Sequence, residues 1–120
     1  MKKVLLVEDD PFLIDIYTTK LKDSGFSIHV AADGEEAINK IREERPDLIV
    51  LDVVLPHYDG WEILKEIKAD KTLNKIKVII LSNLGQREEV EKGLKLGATK
   101  YLIKAHYTPS QVVEEIKKSF

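Results

Sequence analysis

Short apolar runs and helix-period segments alternate from one end of the chain to the other. No other feature constrains the fold as much. Val4 to Val7 is an apolar run bounded by charge, as in a strand buried on both faces. Asp10 and Pro11 then read as a helix cap with proline at the first helical position, and Ile14, Tyr17 and Leu21 recur at helical spacing before Gly25. Ser27 to Ala31 is a weaker strand. Asp33 with Glu36 resembles a capping box that opens a helix with Ala37, Ile38 and Ile41 inward, ended by Arg45 and Pro46. Leu48 to Leu51 is the third strand. Asp59 and Gly60 are a turn signal, and Asp59 with Glu62 caps a helix carrying Trp61, Leu64 and Ile67. Val78 to Leu81 is the fourth strand, and Arg87 to Leu96 a helix stopped by Gly97, the least firmly held of the set. Tyr101 to Ile103 is the fifth strand. Thr108, Pro109 and Gln111 start a last helix with Val113, Ile116 and Phe120 on one face. Strands alternating with helices predict an α/β fold: a doubly wound, five-stranded parallel sheet with five helices on its two faces. The flavodoxin-like strand order 2-1-3-4-5 is expected.

The chain has 120 residues, the size of a single domain, so residues 1–120 are read as one. Its formal net charge is −2, which gives no basic footprint for nucleic acid. It has no cysteine, which removes disulfides and thiolate metal sites. The opening MKKVLLVEDD has too short an apolar run for a signal peptide or a membrane span, and a cytoplasmic location is expected.

In such sheets ligands bind beyond the carboxyl ends of the strands. Glu8, Asp9 and Asp10 follow strand one, Asp52 ends strand three, Ser82 and Asn83 follow strand four, and Lys104 follows strand five. Singly, each has an ordinary role: a solvated turn, a helix cap, a turn serine, a surface lysine. Together, at matching strand ends, they describe a site. Asp10 is read as a cap only. His29, His57 and His106 lack metal-ligand spacing and are read as surface or structural, and Trp61 as helix packing.

Three carboxylates at one edge repel. At about 5 Å and an effective dielectric near 20, each pair costs roughly 3 kcal/mol. Lys104 offsets part of this, and a divalent cation would offset more. All-oxygen ligands point to a hard ion, and a few carboxylates suit Mg²⁺. Such an ion neutralises charge on a phosphoryl group. Lys104 and Ser82 are placed to hold phosphoryl oxygens, with Asp52 as the nucleophile.

The stretches "VLLVEDD", "DLIVLDVVLPHYDGWE", "VIILSN" and "YLIK" carry a resemblance. Over essentially its whole length the sequence resembles the receiver domain of two-component response regulators. The resemblance implies that Asp52 is the phosphoacceptor for a histidine kinase or histidine phosphotransfer protein. It implies that Asp9, Asp52 and the backbone carbonyl of Val54 ligate Mg²⁺, with Glu8 as the second acid of the pair, acting through water. Ser82 and Lys104 correspond to the hydroxyl and lysine of the site, and Ser82 with Tyr101 to the switch pair. The implied role is signalling, with at most slow self-phosphatase activity. The implied partner surface, for a second copy or a downstream protein, is formed by the fourth helix, fifth strand and last helix.

Three departures from the family pattern stand out. Ala105 follows Lys104 where proline with a cis peptide is usual. A non-proline cis bond costs about 3–4 kcal/mol, so a trans peptide is expected. Asn83 stands where small residues are common, which narrows access to Ser82. Val54 and Leu84 are apolar where hydrolytic water is positioned in other members, so slow loss of phosphate is expected. Other classes fit the residues less well. A receiver-like binding module that is never phosphorylated has no need of Asp9, Asp52, Ser82 and Lys104 together. A Mg²⁺-dependent aspartyl phosphatase would want a second acid two residues after the first, where Val54 stands.

Overall fold

The structure is a computed structural model that describes residues 1–120. The main sheet contains β1 (Lys3–Val7), β2 (Ser27–Ala31), β3 (Leu48–Leu51), β4 (Lys77–Ser82) and β5 (Lys100–Ile103). Its order is β2-β1-β3-β4-β5, all pairs parallel, the arrangement expected from the alternation. The helices are α1 (Pro11–Asp23), α2 (Gly34–Glu44), α3 (Gly60–Ala69), α4 (Arg87–Lys95) and α5 (Pro109–Lys118).

The strands are buried on both faces because each feeds two cores in turn. Leu5, Val7, Ile49, Leu51, Val78 and Ile80 point to one side, where Ala37 and Ile41 of α2 and Ile63, Leu64 and Ile67 of α3 cover them. Val4, Leu6, Leu48, Val50, Ile79 and Leu81 point to the other, under Tyr17 and Leu21 of α1 and Val112, Val113 and Ile116 of α5. This is the period of two of a pleated strand, and it explains why these runs lack polar positions. Each fully buried Leu or Ile contributes about 1.5–3 kcal/mol, so the strand ends rest on a rigid base. α4 is the exception: Gly93 is its one buried residue.

The caps match the sequence signals in part. Asp10 accepts from the backbone amides of Phe12 (2.9 Å) and Leu13 (3.4 Å), and Thr108 and Gln111 cap each other reciprocally. Gly25 and Gly97 end α1 and α4 with positive φ. Asp33 accepts from the Glu36 amide at 2.8 Å, but Glu36 turns to the amide of Ala32, so the box is not reciprocal. Asp59 caps α3 through Trp61 N, while Glu62 pairs with Lys65 instead of closing a box. Phe120 is a correction. α5 ends at Lys118, so Phe120 leaves the apolar face and is partly exposed beside Phe26, ring centroids 5.3 Å apart.

Two local features were not legible in the pattern. Val54–Leu55 and Tyr58–Asp59 pair as a short antiparallel hairpin between β3 and α3, and Lys104–His106 forms a turn of 3₁₀ helix after β5. The hairpin turn carries His57 with φ 58°, a left-handed backbone.

Candidate functional site

The sheet brings four strand ends to one edge. The Glu8 amide donates to Ala31 O and the Asp52 amide to Val7 O, both at 3.0 Å, so the ladder extends one residue past β1 and β3. This fixes the backbone of both acids before any side chain is placed. Ser82 is the last residue of β4 and fully buried. Lys104 is the first residue after β5.

The side chains converge. Lys104 Nζ lies 2.6 Å from Glu8 Oε1 and 2.7 Å from Asp52 Oδ2. Asp52 Oδ1 accepts from the Val54 amide at 3.0 Å, and Glu8 Oε2 accepts from the amides of Asp9 and Asp10, both at 3.1 Å. Glu8 and Asp52 are 2% and 6% exposed, so one ammonium serves two buried carboxylates. Burial pushes the Glu8 carboxyl above its usual range, and Lys104 and the Asp10 amide hold that rise in check. Burial alone would lower the Lys104 ammonium, but its hydrogen bonds to Asp52 and Glu8 outweigh it and raise the group.

Carboxylate oxygens of Glu8, Asp9 and Asp52 lie within 4.8 Å of one another, with Asp9 exposed to solvent. The donor set is oxygen only, and its spread fits a small, hard divalent cation. These groups, with Ser82, Asn83 and Lys104, line an open cavity of about 440 Å³ walled by Leu13, Val54 and Leu84. Val54 is 53% exposed, and its aliphatic side chain can neither accept from nor donate to a water. Asn83 is exposed at the rim. Asp10 lines the same cavity while its side chain caps α1.

Beside the cavity, Tyr101 donates its hydroxyl to the carbonyl of Leu84, and Ser82 Oγ accepts from the Leu84 amide at 3.3 Å. Burial, with Glu89 and Asp52 nearby, pushes the Tyr101 phenol up to about 12. Trp61 is 9% exposed and packs in the core as expected. The Lys104–Ala105 peptide is trans. The histidines stay out of the acidic cluster, and His29 pairs with Glu44 at 3.5 Å. What the residue pattern did not reveal is that Glu8 shares Lys104 with Asp52. The resemblance gives Glu8 as the second acid of the pair, acting through water, and no spacing rule connects residues so far apart in the chain.

The comparisons agree with this geometry. The family model described as "Response regulator receiver domain" matches residues 4–117. The alkaline phosphatase synthesis transcriptional regulatory protein PhoP of Bacillus subtilis is 38% identical over 118 residues, covering 97% of this chain and 47% of that protein. The chain thus spans about half the length of that curated relative. Among solved structures, the BeF3-activated DrrB receiver domain superposes with a TM-score of 0.86 at 34% identity, covering 98% of this chain and 96% of that one. The Mn(2+)-bound response regulator Rcp1 superposes with a TM-score of 0.87 at 29% identity, covering 98% and 93%. A doubly wound sheet, strand-end acids beside a lysine, and a family match over nearly every residue lead to one assignment: the chain belongs to the response regulator receiver domains of two-component systems.

Proposed function

We propose that this receiver domain takes a phosphoryl group onto Asp52 from the phosphohistidine of a histidine kinase or histidine phosphotransfer protein. One observation carries the reading. Asp52 stands at the end of a buried strand with Lys104 Nζ 2.7 Å from one oxygen and the Val54 amide 3.0 Å from the other. That is a carboxylate held still, lining an open cavity, beside a fixed positive charge.

A carboxylate oxygen of Asp52 attacks phosphorus, a new O–P bond forms, and the N–P bond of the phosphohistidine breaks. The imidazole leaves with the electron pair. Lys104 lies where it can pair with a phosphoryl oxygen, and the Ser82 hydroxyl can donate to another. Glu8, Asp9, Asp52 and the Val54 carbonyl are the residues that would hold Mg²⁺, which supplies charge neutralisation for the incoming group. Glu8 then has two tasks, since its carboxylate also accepts Lys104.

The readout is a population shift through Ser82 and Tyr101. The Leu84 amide donates to Ser82 Oγ and the Leu84 carbonyl accepts from the Tyr101 hydroxyl, so drawing Ser82 toward phosphate shifts Leu84 and biases the ring. Moving a two-state equilibrium from about 1:99 to 99:1 needs roughly 5.5 kcal/mol of differential stabilisation. The face of α4, β5 and α5 is the proposed surface for a second copy or a downstream protein. No helix is long and apolar enough to cross a membrane, and a cytoplasmic location accords with phosphotransfer from an intracellular kinase domain.

The test is uptake from acetyl phosphate with Mg²⁺, followed by intact-protein mass and peptide mapping. One equivalent on the peptide holding Asp52, lost under chelator, is expected. Turnover of many equivalents would mark a phosphatase, and no uptake an inert module.

Loss of phosphate is predicted to be slow. Val54 and Leu84 flank the cavity with apolar side chains that cannot orient a hydrolytic water. Val54→Asn is expected to speed loss by about tenfold, since a polar group there restores part of that positioning. Rapid loss from the wild type, unchanged by the substitution, would contradict it.

A further inference from the structure

We propose that Lys92 and Trp61 clamp α4 onto α3, and that this clamp is a second coupling between the Asp52 segment and α4, separate from Ser82. The coupling, though not the clamp itself, rests on the phosphoacceptor reading above.

α4 has little else to hold it. Gly93 is its one buried residue, and Leu94 is 46% exposed. Elements with so little apolar burial open at low free energy, so one good contact changes their population. The Lys92 ammonium sits 4.5 Å from the centroid of the Trp61 ring, within the range of a cation–π contact with the best aromatic partner. Trp61 also stacks with Tyr101, centroids 6.5 Å apart and planes at 29°. α4 also lies directly on Tyr101. A Cβ placed on Gly93 would fall 2.8 Å from Tyr101 Cδ2 and 2.6 Å from Ile80 Cδ1. Trp61, Tyr101 and the middle of α4 thus share one packing arrangement.

The backbone of Trp61 is tied to the site. Its amide donates to Asp59 Oδ1 at 2.9 Å, and Asp59 pairs with Val54 in the hairpin. The Gly60 amide donates to Val53 O at 3.1 Å, and the Val54 amide donates to Asp52 Oδ1 at 3.0 Å. A phosphoryl group on Asp52 changes the acceptor that Val54 sees. The hairpin carries that change to the first turn of α3, and the indole presents it to Lys92. Linkage makes the coupling reciprocal: weakening the clamp must alter affinity at Asp52.

The test compares Lys92→Met and Lys92→Arg with wild type. Methionine keeps the aliphatic stem and the helix propensity but removes the charge, while arginine keeps the charge. Amide hydrogen exchange over residues 87–95 is measured without ligand, and beryllofluoride affinity is measured with Mg²⁺. Lys92→Met is expected to exchange about threefold faster in α4 and to change its beryllofluoride affinity about threefold, with Lys92→Arg near wild type in both. Unchanged α4 exchange in Lys92→Met overturns the clamp. Faster exchange with unchanged beryllofluoride affinity overturns the coupling. A wild type that fails to bind beryllofluoride overturns the phosphoacceptor reading, and the ligand-free exchange still decides the clamp.

Discussion

Asp52→Asn is expected to fold normally and to take up no phosphoryl group from acetyl phosphate or from a phosphorylated kinase. The amide is nearly isosteric with the carboxylate and can still accept from the Val54 amide, now 3.0 Å from Oδ1. It has no anionic oxygen with which to attack phosphorus. Stability should not suffer, because the substitution relieves crowding: Glu8 and Asp52 are both buried and share the single ammonium of Lys104. Lys104 would keep Glu8 as its partner, so no buried charge is stranded. Thermal unfolding within a few degrees of wild type, together with complete loss of the phosphorylated species by mass, is the expected pair of results. Uptake at the wild-type rate would place the acceptor elsewhere and end the proposed mechanism.

That prediction draws on residues the sequence exposes with little ambiguity, and the reason is geometric. In a parallel sheet buried on both faces, a strand is an uninterrupted apolar run, so its end is marked by the first polar residue. Glu8 after Val7, Asp52 after Leu51 and Lys104 after Ile103 are all marked in this way. Once alternation gives the sheet, those residues must lie along one edge. The registers bear this out, with Val7 opposite both Ala31 and Leu51. What stays hidden is anything decided by distance between those ends. Nothing in the chain shows that Lys104 divides itself between Glu8 and Asp52, because strand order fixes neighbours but not side-chain rotamers. The hairpin at Val54–Asp59 is hidden for another reason. Two-residue strands have no period to read, and the segment makes sense only once the loop from β3 has to turn back under α3. Phe120 misled because helical spacing continues past the point where the backbone leaves the helix at Lys118. The Trp61, Tyr101 and Lys92 cluster joins three elements, and each residue taken singly looks like ordinary packing or a solvated charge.

The hairpin yields the second large effect, from Gly60→Ala. Gly60 is the first residue of α3, and its α-carbon rests against the backbone of the chain leaving β3. A Cβ built there would fall 2.3 Å from Val53 Cα, 2.7 Å from its carbonyl oxygen and 2.8 Å from its carbonyl carbon. A flexible side chain could swing aside, but main chain fixed by the sheet on one side and the hairpin on the other cannot. Overpacking of this kind costs about 3 kcal/mol, which in a domain of this size lowers Tm by roughly 10 °C. The site should lose more than stability. Val53 and Val54 follow Asp52 directly, and the Val54 amide holds Asp52 Oδ1. A displacement near 1 Å at a reacting group can cost about 100-fold in rate. Phosphoryl uptake at 20 °C, where Gly60→Ala remains folded, should therefore fall by one to two orders of magnitude, on the order of 10–100-fold. Gly25→Ala provides the control. Gly25 has φ 91° but nothing within 4 Å of an added Cβ, and it lies between α1 and β2 at the edge opposite the site. Its substitution strains the backbone by about 1 kcal/mol and should lower Tm without slowing uptake. Should the two variants slow uptake equally once both are folded, the hairpin does not position Asp52, and the loss belongs to stability alone.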